Sequence, residues 1–160
     1  MSSDFDKGFK EKLAAAEAVR SAEAQRRKRI GEMCADGARK CSDRIKAVMK
    51  TDSRVAGGFT LDPTPTVDGN AFKLHFAGES MNMHFSGAVT HDGSGPNLGS
   101  ATQDPSWTTF NIRASVYADQ RRLGKRSQDH TIRADFGASG EPSMDIATNV
   151  VAARDDLARQ

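Results

Sequence analysis

The first fifty residues contain no proline, while all five prolines of the 160-residue chain fall between positions 63 and 142. That opening stretch is helical in composition, and its length constrains the fold more than any other feature. Ser3 is suited to cap it, with Asp4 and Asp6 in the first turn facing the positive end of the helix dipole. Phe5, Phe9, Leu13 and Ala16 recur at helical spacing, and Ile30, Met33, Cys34, Cys41, Ile45, Val48 and Met49 form a second apolar stripe. Between them lies the charged run from Arg20 to Arg29, followed by Gly31 and Gly37, either of which is able to bend or divide the helix. Unbroken, residues 4 to 50 extend about 70 Å, whereas a compact domain of this size has a radius of gyration of about 15 Å. The helix must fold back near a glycine or project. The expected division is an N-terminal helical arm over 1–29, projecting or packed on a partner, and a single core domain over 30–160.

Beyond Thr51 the pattern changes from helix to strand. Val55, Gly57, Phe59 and Leu61 alternate with small or polar residues as a short strand does, and Asp62-Pro63-Thr64-Pro65-Thr66 must be irregular because each proline restricts itself and its predecessor. Asp68-Gly69-Asn70 is a turn signal. From Ala71 to Val89 the alternation predicts a hairpin around Gly78-Glu79, pairing Phe76 with Met81, Leu74 with Met83 and Phe72 with Phe85, so that every large apolar side chain shares one face. His91 to Ser106 reads as a loop. Phe110 to Val116 forms a further strand whose partner is the run Thr131 to Phe136. A closing helix carries Ile146, Val150, Ala153 and Leu157 on one side. The order predicts an α+β fold: a long N-terminal helix, about five mostly antiparallel strands with one face covered by helices, and a C-terminal helix.

Leu, Ile, Val and Phe together make up 17% of the chain, which calls for a small core, but the net charge of only +2 separates the sequence from disordered chains. No apolar run approaches the roughly 18 residues that span a bilayer, and Met1 to Lys12 lacks the apolar centre of a secretory leader. Cys34 and Cys41 sit seven positions apart on one helix face, about 10 Å between Cα atoms and too far for a disulfide. Two unpaired thiols read as buried or half-buried, with no apolar leader centre, point to a cytoplasmic protein.

Charge is uneven: residues 1–50 hold 13 Lys+Arg against 8 Asp+Glu. One basic focus is Arg26, Arg27, Lys28 and Arg29; the other is Arg121, Arg122, Lys125 and Arg126. Basic runs of this kind supply sequence-independent contact with phosphates. On the polar face of the 71–89 hairpin, the expected register makes His75 and His84 diagonal neighbours, about 7–8 Å apart, with His91 or Asp92 as a third metal ligand. Lys73 beside them repels a cation. The Gly93-to-Gly99 segment has glycines but lacks the following helix that a phosphate loop needs. Gly78-Glu79-Ser80 starts like a nucleophile elbow but lies in a hairpin turn.

Nothing here calls for a cofactor. The expected function is a small non-catalytic macromolecule-binding protein: an adaptor, regulator or inhibitor that contacts another protein or a second copy of itself. Phe5, Phe9 and Leu13 supply apolar contact, and Arg26, Arg27 and Arg29 electrostatic complementarity. The first alternative is a nucleic-acid accessory protein using both basic runs; the second is a metal-dependent enzyme around His75 and His84. No membrane association is expected.

Overall fold

A computed structural model describes residues 2–55, 58–64, 66–91, 105–120 and 122–160. The chain begins with one uninterrupted helix, α1 (Ser2–Thr51). It starts one residue before the expected Ser3 cap, and neither glycine divides it. Gly37 serves packing instead: a β-carbon there would lie 2.8 Å from the Phe136 ring and 3.3 Å from Val89, so the missing side chain lets the core approach the helix backbone.

Among the described residues eight strands follow: β1 (Thr60–Leu61), β2 (Val67–Asp68), β3 (Ala71–Ala77), β4 (Asn82–His91), β5 (Phe110–Asp119), β6 (His130–Ile132), β7 (Ala134–Phe136) and β8 (Pro142–Met144). Helix α2 (Ile146–Ala158) closes the chain. The main antiparallel sheet runs β1-β3-β4-β5-β6, and β2 also pairs with β3. β1 and β2 lie end to end on the same edge of β3, one opposite Phe76 and Ala77, the other opposite Ala71 and Phe72. The break between them contains Pro63, which ends ladder hydrogen bonding at an edge where another chain could otherwise add. The strand expected over Val55–Leu61 shrinks to Thr60–Leu61; Val55 is buried in a turn, and residues 56 and 57 lie outside the described residues.

Two expected strand pairings need correction. The β3–β4 hairpin closes at Ala77↔Asn82, so Phe76 faces Met83, Leu74 faces Phe85 and Phe72 faces Gly87, a slip of two from the expected pairing. A slip of two preserves which face each side chain takes, so the apolar face is the one expected. The cause is a longer loop, closed by the Gly78 N–H donating to the Met81 carbonyl at 2.9 Å. The second correction concerns Thr131 to Phe136. Only His130–Ile132 pairs with β5; at Arg133 the chain leaves the sheet, its carbonyl accepting from the Asp145 N–H at 3.0 Å, and Ala134–Phe136 pairs with β8 in a separate two-stranded sheet.

One face of the main sheet carries the core. α1 packs on β3 and β4, and α2 on β5 and β6. Cys34, Ala38, Cys41, Ile45 and Met49 from α1 meet Phe72, Leu74, Phe85 and Val116 from the sheet and Ile146, Val150, Ala153 and Leu157 from α2. Each large side chain so buried contributes roughly 1.5–3 kcal/mol. Both cysteines are free thiols; burial pushes Cys41 up to about 12 and also raises Cys34. Trp107, in a single 3-10 turn (Trp107–Thr109), packs on Phe110 and Phe136 and lies across Gly140, whose φ of +85° and closeness to the indole both require glycine. No described helix is long and apolar enough to cross a membrane.

Candidate functional site

Two surfaces of the described residues carry the candidate side chains: the N-terminal half of α1 and the open face of the main sheet.

On α1, every side chain from Lys10 to Ser21 is exposed, and full burial begins only at Cys34. Phe5 is 76% exposed, Phe9 57%, Leu13 43% and Val19 43%. The rings of Phe5 and Phe9 stack one turn apart, 6.5 Å between centroids. At 3.6 residues per turn, Phe5, Phe9 and Leu13 stand about ten turns ahead of Cys41, Ile45 and Met49. They therefore share one helix face with three core residues. The stripe that docks α1 on its own sheet continues toward the N-terminus with the same orientation, and among the described residues no strand lies beneath it there. Arg26 is half-buried, while Arg27, Lys28 and Arg29 are exposed, between the two parts of the stripe.

The open sheet face is built by the alternation of β3, β4 and β5. Their outward residues form cross-strand rows: Ala77, Asn82 and Asp119; His75, His84 and Tyr117; Lys73, Ser86 and Ser115. In the middle row three rings stand face to face across three strands. His75 and His84 are 4.4 Å apart and 15° from parallel, and His84 and Tyr117 are 4.6 Å apart and 14° from parallel. The Arg126 guanidinium covers the outer face of Tyr117 at 3.7 Å, held by Asp129 at 2.9 Å. Each imidazole has a carboxylate partner: His84 Nε2 lies 3.0 Å from Asp119, and His75 Nδ1 3.5 Å from Asp62. Asn82 Nδ2 donates to the other Asp119 oxygen at 3.0 Å. Burial pulls the His84 pKa down, opposed by the Asp119 charge and reinforced by His75 and Arg126. The Thr64 backbone N–H leads the interactions that lower Asp62. Beside the rings runs a cleft of about 570 Å³ lined by Lys73, Ser86 and Ser115.

The histidines are therefore direct cross-strand partners, not the diagonal neighbours expected from the sequence. Stacked rings direct their in-plane lone pairs along parallel planes, and the lone pairs do not converge on one ion. His91 faces the opposite side of β4, against Phe110, and Asp92 lies outside the described residues. Among the described residues, no group of three or more His, Cys, Asp or Glu is placed to hold a metal ion. Ser86 and Ser115 face one another at 3.4 Å, and no described serine is hydrogen-bonded to either stacked imidazole. Ser80 is exposed in the hairpin loop.

The second basic run is partly engaged within its own chain. Lys125 donates to the Gln160 carbonyl at 2.7 Å and Arg126 is held by Tyr117 and Asp129. Arg122 is exposed, and Arg121 lies outside the described residues, as does the glycine-containing segment 93–99. Tyr117, Asp119 and Asp62, which complete the ring row, were not singled out from the sequence. The alternation Arg113, Ser115, Tyr117, Asp119 does assign an outward face, but only the strand order shows that His84 lies between His75 and Tyr117.

No protein-family model, no curated protein and no solved structure matches the chain.

Proposed function

We propose that this is a non-catalytic binding protein that engages another protein helix through its N-terminal arm, residues 1–29, while residues 30–160 form the core that presents it. The observation that carries this reading is the alignment of exposed Phe5, Phe9 and Leu13 with buried Cys41, Ile45 and Met49 on one face of a single uninterrupted helix. An exposed apolar stripe of this kind presents surface whose burial against a second helix is favourable. Its i, i+4, i+8 spacing suits ridges-into-grooves packing with a helix and not the flat edge of a sheet. Arg26, Arg27 and Arg29, at the base of the arm, supply charge complementarity that guides the encounter.

The nucleic-acid reading uses the same arginines together with the 121–126 run. It is less favoured because Lys125 and Arg126 already hold partners in their own chain, which reduces the cationic surface available to a phosphate backbone.

A photo-crosslinking residue at Phe9 of the full chain, in its native cells, tests the proposal. Ala18 is the control, since nine residues at 100° each place it on the opposite side of the helix. The expected result is a nuclease-insensitive adduct to protein from position 9 and none from position 18. A nucleic-acid adduct, or equal yields from both positions, would overturn it.

A further inference from the structure

We infer that the helix received by the arm is the arm of a second copy of this chain, laid antiparallel; this rests on the reading of the arm as a helix-docking surface. The first argument is steric. From Cys34 onward the stripe face of α1 is filled by its own sheet. A second α1 laid parallel and in register would run into that sheet, because the helix is continuous to Thr51. Laid antiparallel, it ends before the obstruction. The overhang before residue 30 is about 42 Å long, which accommodates the same overhang from a second copy with both cores outside the paired region.

The second argument is side-chain complementarity. With the two-fold axis midway between Leu13 and Ala14, Phe9 comes within one residue's rise of the level of the second copy's Val19, and Leu13 within the same rise of its own counterpart. Gly8, Ala15 and Ala22 line one flank, where small residues let the helix axes approach to the lower end of the usual 8–10 Å. On the other flank Asp6 faces the second copy's Arg20 at both ends of the pair. Lys12 falls beside Ala16, where its methylene stem covers apolar surface while the ammonium reaches water. A parallel pair would instead set Lys12 on Lys12, Glu23 on Glu23, and Arg26, Arg27 and Lys28 on themselves. Closed two-fold pairing also covers Phe9 and Leu13 without leaving an open end for filament growth.

The test is sedimentation equilibrium of the purified full chain with the reversals Asp6→Arg and Arg20→Asp, singly and combined. Both sites are exposed on the helix, and far-UV circular dichroism verifies that each variant keeps its helix. The expected result is a wild-type dimer, roughly tenfold weaker association for each single reversal, and recovery to near wild-type strength in the double variant. A monomer at every concentration, alongside a Phe9 adduct to a different protein, would overturn self-pairing and leave the arm reading standing. A monomer without any Phe9 adduct would overturn both. A dimer indifferent to the reversals would overturn the antiparallel register.

Discussion

Gly87 lies directly opposite Phe72 across the β3–β4 pair, and the Phe72 ring occupies the volume that a β-carbon on Gly87 would take. That β-carbon would stand 2.3 Å from the ring and 2.5 Å from the Arg113 backbone carbonyl on the neighbouring strand. The ring can shift, but the carbonyl belongs to the β4–β5 ladder and cannot move without disturbing it. Gly87→Ala is therefore expected to destabilise the fold by about 1–3 kcal/mol through overpacking. Urea unfolding monitored by Trp107 fluorescence measures this; an unchanged midpoint would show that Phe72 does not lie over Gly87.

The two glycines in the middle of α1 should respond in opposite directions. Around Gly31 a β-carbon meets nothing within 4 Å, so Gly31→Ala is expected to stabilise the fold by about 0.8–1 kcal/mol from helix propensity. At Gly37 the same substitution forces a β-carbon within 2.8 Å of Phe136, and the strain outweighs the propensity gain. Thermal unfolding of both variants checks the pair: Tm should rise for Gly31→Ala and fall for Gly37→Ala.

Those glycines show where the sequence stops being legible. Both interrupt a helical pattern, and composition does not separate a break from a close approach. That distinction depends on Phe136, which is 99 positions from Gly37. Side-chain parity, by contrast, is local. The alternation in Ala71–Val89 predicts which residues face the core even though the register is wrong by two, because the error preserves parity and Gly87 lacks a side chain that would reveal its opposition to Phe72. The run Thr131–Phe136 keeps its alternation across Arg133, so the change of sheet leaves no trace in hydropathy. The arm stripe at Phe5, Phe9 and Leu13 is readable for the same local reason, while the His75–His84–Tyr117 row depends on strand order and is not.

Ser42 provides a separate test of the α1 interface. It is fully buried among the core residues of the helix, and its hydroxyl has no hydrogen-bond partner. A buried donor of this kind has lost its water without compensation, a cost of about 1–3 kcal/mol. Ser42→Ala removes that cost and favours the helix, so it is expected to raise stability by about 1 kcal/mol. A lower denaturation midpoint in the variant would show that the hydroxyl has found a partner.

His84 makes the stability of the open sheet face depend on pH. Burial lowers its folded-state pKa beneath the unfolded value of about 6.5. Its contribution is therefore fully present above that value and is lost as the pH falls toward the folded pKa, because the unfolded chain binds the proton first. Asp119 opposes the shift from 3.0 Å, while His75 and Arg126 reinforce it. Asp119→Asn removes the opposing charge, so the His84 midpoint should move further down and the loss of stability between pH 7 and acidic pH should grow. Titration of the His84 ring protons by NMR, in wild type and Asp119→Asn, follows the midpoint directly, and urea unfolding at both pH values follows the stability. A His84 midpoint that rises in the variant would show that Asp119 does not favour the protonated ring, and that the ring row is held by stacking and burial alone.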